Sequence, residues 1–294
     1  MDQATQLRNI IKAQTVTNVP SARVITVTSG KGGVGKSNVS INLAVQFKKM
    51  GKRVIIFDAD FGLANIEVMF GAVPKHNLAD LIYQGKNIRD IITIGPMDIG
   101  FISGGSGIAG LSNLGKDYIN YLIQNLAELD KLADVIIIDT GAGISDAVLE
   151  FLVASKEILL VTTPEPTSIT DSYSLLKALN RHPRYNAAMT QVKVVANKAE
   201  NYDEGKQLFT KLNAVVQRYL KMKIEFVGVI PDDSQLVKAV MQQTPVSIQN
   251  PGSKSAMAFM DLAKTLTTNS NEPVVTRHGM AGFFANMVKG KKFI

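Results

Sequence analysis

VITVTSGKGGVGKS, residues 24–37, joins three kinds of pattern in fourteen residues. Val24–Ser29 is apolar and β-branched, as a buried strand is. Gly30–Ser37 is a glycine-rich turn, and a helix-patterned stretch, 37–50, follows it. Strand, turn and helix in that order give the turn the context of a phosphate-binding loop. Its glycines let the backbone turn tightly and aim N–H groups at phosphate oxygens. The helix start adds a favourable dipole for an anion. Lys36 is then within reach of β- and γ-phosphates, and the Ser37 hydroxyl is a ligand for Mg²⁺. Gly30, Lys31, Gly32, Gly33, Val34, Gly35, Lys36, Ser37 and Asn38 are the candidate nucleotide contacts.

Outward from this loop, apolar strand-like runs alternate with helical ones. VIIFDAD (54–60), IGFIS (99–103), VIIIDTG (135–141), EILLVTT (157–163), VKVVANK (192–198) and EFVGVIP (225–231) read as buried strands. Helices are expected near 116–130, 168–181, 204–221, 233–242 and 254–267. This predicts an α/β fold: one doubly wound, mostly parallel sheet with helices on both faces. Ligands of such sheets sit at the carboxyl ends of the strands. There, Asp58 and Asp60 point to opposite sides if their strand persists, or emerge at its end if it breaks. Asp139 closes an apolar strand where a Mg²⁺ ligand through water is needed.

Composition narrows the chemistry. The 294 residues include no cysteine, which excludes a thiol nucleophile, a disulfide scaffold and Cys-ligated zinc or iron–sulfur sites. His76, His182 and His278 are too far apart for a local zinc motif. No apolar run reaches the roughly 18 residues of a membrane span, and the N-terminus lacks the pattern of a signal peptide, so a cytoplasmic protein is expected. The net charge is +7, with +4 in residues 277–294 and +2 in residues 1–23. A body of about +1 argues against nucleic acid as a partner.

The second lysine of the loop, Lys31, makes KGGVGKS resemble the deviant Walker A motif of the MinD/ParA ATPases, a family of MinD-like P-loop fold. The resemblance spans roughly residues 23–267. It implies an ATP-dependent homodimer with ATP or ADP and Mg²⁺ at its interface, where Lys31 reaches the partner's phosphates. It also implies catalytic roles for Asp60, Lys31 and Lys36, with Asp60 orienting the attacking water. Mg²⁺ falls to Ser37, Asp58 and Asp139. By the same resemblance Asn197 bonds adenine, and Pro231 and Asp232 pack beside the base. TTPEPTSITD (162–171) is similar to a dimer-facing segment, with Asp171 opening a helix.

Both ends carry further signals. Met280, Phe283, Phe284, Met287 and Val288 in 279–294 fall on one helical face, followed by Lys289 and further lysines. A polar linker, 268–278, separates this segment from the body. It fits an interfacial amphipathic helix on an anionic membrane surface, as in MinD-type proteins. The same face could dock on the body's own core, or do both, masked without ATP. Residues 1–22 precede the first strand, whereas a MinD proper begins almost at that strand. They open with DQATQLR, which resembles a motif of the flagellar-number-regulating, FlhG-type branch. That motif implies activation of an FlhF-type, signal-recognition-particle-like GTPase by Asp2, Gln3, Ala4, Leu7 and Arg8, and flagellar C-ring proteins as further partners. A division-site MinD and a ParA-type DNA-segregation ATPase are the competing readings.

Overall fold

The computed structural model describes residues 21–60, 65–104, 121, 124–268 and 279–288. Its frame is an eight-stranded sheet in the order β3-β4-β2-β5-β1-β6-β7-β8. The strands are β1 (Arg23–Ser29), β2 (Val54–Ala59), β3 (Thr93–Ile94), β4 (Gly100–Ser103), β5 (Val135–Ala142), β6 (Glu157–Thr162), β7 (Gln191–Ala199) and β8 (Ile224–Pro231). Only the two-residue edge strand β3 runs antiparallel to its neighbour. Central strands are apolar on both faces because helices cover both.

Alternate residues feed opposite cores. Ile25, Val27, Ile56, Ile137 and Leu159 pack on one face under α1 (Lys36–Lys49), α2 (Asn65–Phe70) and a group near the C-terminal side of the domain. The other face takes Ile55, Phe57, Ile136, Ile138, Ile158 and Leu160. It is covered by α3 (Leu78–Tyr83), α4 (Leu129–Leu132), α5 (Asp146–Ala154), α6 (Pro166–Arg181) and α7 (Tyr202–Leu220). The helices α8 (Ser234–Met241), α9 (Val246–Gln249) and α10 (Lys254–Thr268) complete the α1 face. A last helix, α11 (Gly279–Val288), lies on the opposite face between α4 and α5.

Two expectations need correction. TTPEPTSITD does not open its helix at Asp171: α6 begins at Pro166, with Glu165 at the N-cap position. Proline at the first helical position has its φ preset and no N–H to satisfy, so it starts the helix five residues earlier. Asp171 lies in the second turn, and its backbone passes so close to residue 30 that a Cβ there would meet it at 2.3–2.4 Å. Only glycine allows that approach. The second correction is α5, absent from the alternation read above. Its nine residues, DAVLEFLVA, are too short and too apolar for a clear helical period, and Ser145 caps it by accepting from Val148 N–H.

Candidate nucleotide site

The phosphate loop runs from the end of β1 into α1. Gly33 (φ 78°) and Gly35 (φ 90°) take left-handed backbone conformations that glycine adopts without strain. No side chain caps the N-terminus of α1, so its first N–H groups are available to an anion. Asn197 Nδ2 donates to Val34 O at 2.7 Å, and Lys198 Nζ donates to Gly33 O at 2.9 Å, so β7 holds the loop from below.

Under the loop, the acids meet. Val27 and Asp58 both stand opposite Asp139 in the strand register. Period-two alternation turns Asp58 and Asp139 toward the α1 face. Asp139 is fully buried, and its Oδ1 receives Ser40 Oγ at 2.7 Å and Lys36 Nζ at 3.1 Å. Its Oδ2 is buried without a partner. That oxygen is an acceptor waiting for a cation or its hydration water, which fits Mg²⁺ beside the half-buried Ser37. Asp58 is also buried, with Oδ1 accepting from Asp60 N–H at 3.1 Å and Oδ2 from Ile66 N–H at 3.4 Å. Burial and the Asp139 carboxylate push the Asp58 carboxyl up to about 7.

β2 ends at Ala59, so the strand breaks before Asp60, the second of the two alternatives. Asp60 is half-buried, beside Gly141, with Asn65 Nδ2 donating to its Oδ2 at 3.4 Å. Gly143 N–H donates to Ser29 O at 2.9 Å and ties the loop after β5 to the phosphate loop. Lys31 is not extended into solvent: Nζ donates to Glu165 Oε2 at 2.8 Å and to Thr167 Oγ1 at 3.1 Å. Lys31 holds the Glu165 carboxyl below its ordinary range. Pro231 ends β8, and Asp232 is exposed, its N–H donating to Ala199 O. The second amide atom of Asn197, Oδ1, is buried without a partner and suits the exocyclic N–H of adenine.

Sequence reading missed Ser40, Glu165, Thr167, Lys198 and Asn65. Ser40 had a signal: it lies four residues after Lys36, on the same helical face. The others depend on which loops the fold brings together.

The C-terminal face is the clearest tertiary result. Met280, Phe283, Phe284 and Met287 are buried among Phe57, Ile136, Ile138 and Phe151, the second of the two arrangements expected for that face. Ring centroids of Phe284 and Phe57 lie 6.3 Å apart, and those of Phe283 and Phe151 6.0 Å apart. Asp2, Gln3, Ala4, Leu7, Arg8, Lys289 and the linker 269–278 lie outside the described residues, as does the side chain of Val288.

A glycine loop on an uncapped helix start, with a lysine and two buried acids on adjacent strands, defines a P-loop nucleoside triphosphatase. The ParA family model, described as an NUBPL iron-transfer P-loop NTPase, matches residues 21–267. Its iron-transfer part is not carried over to a chain without cysteine. Antiactivator FleN of Pseudomonas aeruginosa is 43% identical over 82% of this chain and 85% of its own. The flagellum site-determining protein YlxH of Helicobacter pylori is 29% identical over 98% of both chains. The cell-division ATPase MinD of Pyrococcus furiosus superposes with a TM-score of 0.67 at 24% identity, over 85% of this chain and all of that one. The chain belongs to the ParA/MinD family of P-loop ATPases.

Proposed function

We propose that this ATPase is a nucleotide-driven switch that regulates the number or placement of flagella. ATP and Mg²⁺ bind at the loop, two copies associate, and the C-terminal helix leaves its groove for an anionic membrane surface. Similarity to FleN and YlxH supports the flagellar reading over a division-site MinD.

One observation carries the switch. Phe57 and Asp58 are neighbours on β2 that face opposite ways, Phe57 into the tail groove and Asp58 toward the loop. Phe151, the other aromatic wall of the groove, stands on α5, directly after the loop that follows Asp139. Any shift of β2 or α5 that accompanies nucleotide binding therefore reshapes the groove. Among the described residues no helix is long and apolar enough to cross a membrane, so the tail acts at its surface.

In the site, the loop amides and Lys36 hold the phosphates. Ser37, Asp58 and Asp139 would hold Mg²⁺, which when bound offsets phosphate charge. Lys31 exchanges its exposed pair with Glu165 for the partner copy's phosphates. Such a pair is screened by solvent and weak, so little opposes the exchange. Asp60 orients the attacking water, and Asn197 and Pro231 with Asp232 hold the base. The segment Met1–Ala22 stimulates an FlhF-type GTPase through Asp2, Gln3, Ala4, Leu7 and Arg8, with C-ring proteins as further partners.

The test has two arms. Full-length protein is sedimented with phosphatidylglycerol–phosphatidylethanolamine vesicles with ATP, with ADP and without nucleotide; pelleting that ignores ATP would refute the switch. GTP hydrolysis by an FlhF-type GTPase is measured with a peptide of residues 1–23 and with its Gln3→Ala form. Equal rates with and without the peptide would remove the flagellar arm.

A further inference from the structure

The apolar face of α11 is not all that holds it. Charged groups hold both of its ends. At the start, the buried Asp130 carboxylate on α4 accepts from Met280 N–H at 2.7 Å and from Ala281 N–H at 3.4 Å. These are first-turn donors that a helix leaves unsatisfied, and a carboxylate there complements the helix dipole. A Cβ on Gly279 would meet that carboxylate at 2.2–2.4 Å, so glycine is what lets the helix come this close. At the other end, Arg184 Nη1 donates to Met287 O at 2.7 Å and to Asn286 O at 3.2 Å. Arg184 also pairs with Glu150 on α5.

Asp130 has a third donor, the backbone N–H of Ala22. Ala22 stands immediately before β1, at the root of the N-terminal segment, and belongs to the same apolar cluster as Met280 and Phe284. A single buried carboxylate therefore joins the two ends of the chain. With the helix in place, three N–H groups offset part of the cost of burying its charge. When the helix leaves, two of the three are lost and the carboxylate opens to water. Water then competes for its bond to Ala22.

We infer that Asp130 is a latch shared by both chain ends, so that undocking of the C-terminal helix loosens the root of the N-terminal segment. The inference rests on the functional reading above only for its consequence: the membrane-seeking tail and the partner-seeking arm would become available together.

Amide hydrogen exchange on the full chain without nucleotide tests this, with no membrane or GTPase present. Phe284→Asp places a charge in the groove but leaves Asp130 untouched. Arg184→Ala, a milder variant, releases the helix from its far end. Both are expected to speed exchange at 279–288 by about tenfold or more, the scale of one charge-assisted hydrogen bond. The Ala22 amide, joined to the helix through Asp130, is expected to speed with it, while Val194 on β7 keeps its rate. Faster exchange at 279–288 with an unchanged Ala22 amide would overturn the shared latch. No change at 279–288 in either variant would overturn the clamp. Failure of the vesicle or GTPase tests would leave this result standing, so the two readings fail separately.

Discussion

Phe151→Ala attacks the groove and spares the tail. Phe151 is 1% exposed, and its ring packs at 6.2 Å from Phe57 and 6.0 Å from Phe283. Truncating a buried phenylalanine costs about 3–5 kcal/mol, shared here between the body and the docked helix. Ordering the backbone of α11 opposes the burial of Met280, Phe283, Phe284 and Met287, so docking depends on the aromatic contacts and on the two charged ends. Loss of even about 1.4 kcal/mol at the groove raises the undocked population tenfold. The variant keeps every apolar residue of the tail, so the face proposed to bind lipid is intact. Without nucleotide, the full-length variant is expected to sediment with anionic vesicles at about tenfold lower lipid than the parent. Circular dichroism melting establishes that it is folded under the assay conditions. A folded Phe151→Ala protein that binds vesicles no better than its parent would refute the idea that the groove masks the tail.

Three further outcomes follow from the geometry. Asp60→Ala removes the carboxylate proposed above to orient the attacking water, so ATP binding and dimerisation should persist while phosphate release falls about a hundredfold or more. Normal phosphate release would show that Asp60 has no such role. Ser40→Ala takes one of the two donors from Asp139 Oδ1, and urea unfolding should register a loss of about 1–3 kcal/mol; an unchanged midpoint would mean that Lys36 alone satisfies this acid. Burial pushes the Asp130 carboxyl up to about 6, above its unfolded value, so the folded state holds the proton more tightly. Its stabilising contribution is complete below about pH 4 and is lost as pH rises through about 6. The stability of the parent relative to Asp130→Asn, measured by denaturant unfolding from pH 4.5 to 7.5, should therefore fall with rising pH. A difference that rises instead would contradict the burial argument.

Much of the fold was legible because its signals are local. The strand–glycine–helix order of residues 24–50, and apolar runs ending in Asp58, Asp139 and Asn197, needed no partner to be read. The short elements were not legible. α5 and α9 are four to nine residues long, below the length at which a helical period stands out, and the antiparallel β3 is two residues of edge. Ser40 was within reach of a reading that followed the face of α1. Glu165 and Thr167 were not, because what brings them to Lys31 is the adjacency of β1 and β6 in the sheet.

The sequence by itself determined the class of chemistry: a phosphate loop with two lysines, acids at strand ends, and no cysteine to carry a metal cluster. Those are properties of residue type and spacing. It also determined that the C-terminal stretch forms one apolar helical face, since that face is set by the 3.6-residue period alone. Only the tertiary structure decided what covers the face. An apolar stripe specifies burial but not a partner, because hydrophobic attraction has no direction. The choice came from groups far apart in sequence, with Phe57 and Phe151 forming the groove and Asp130 and Arg184 holding the ends.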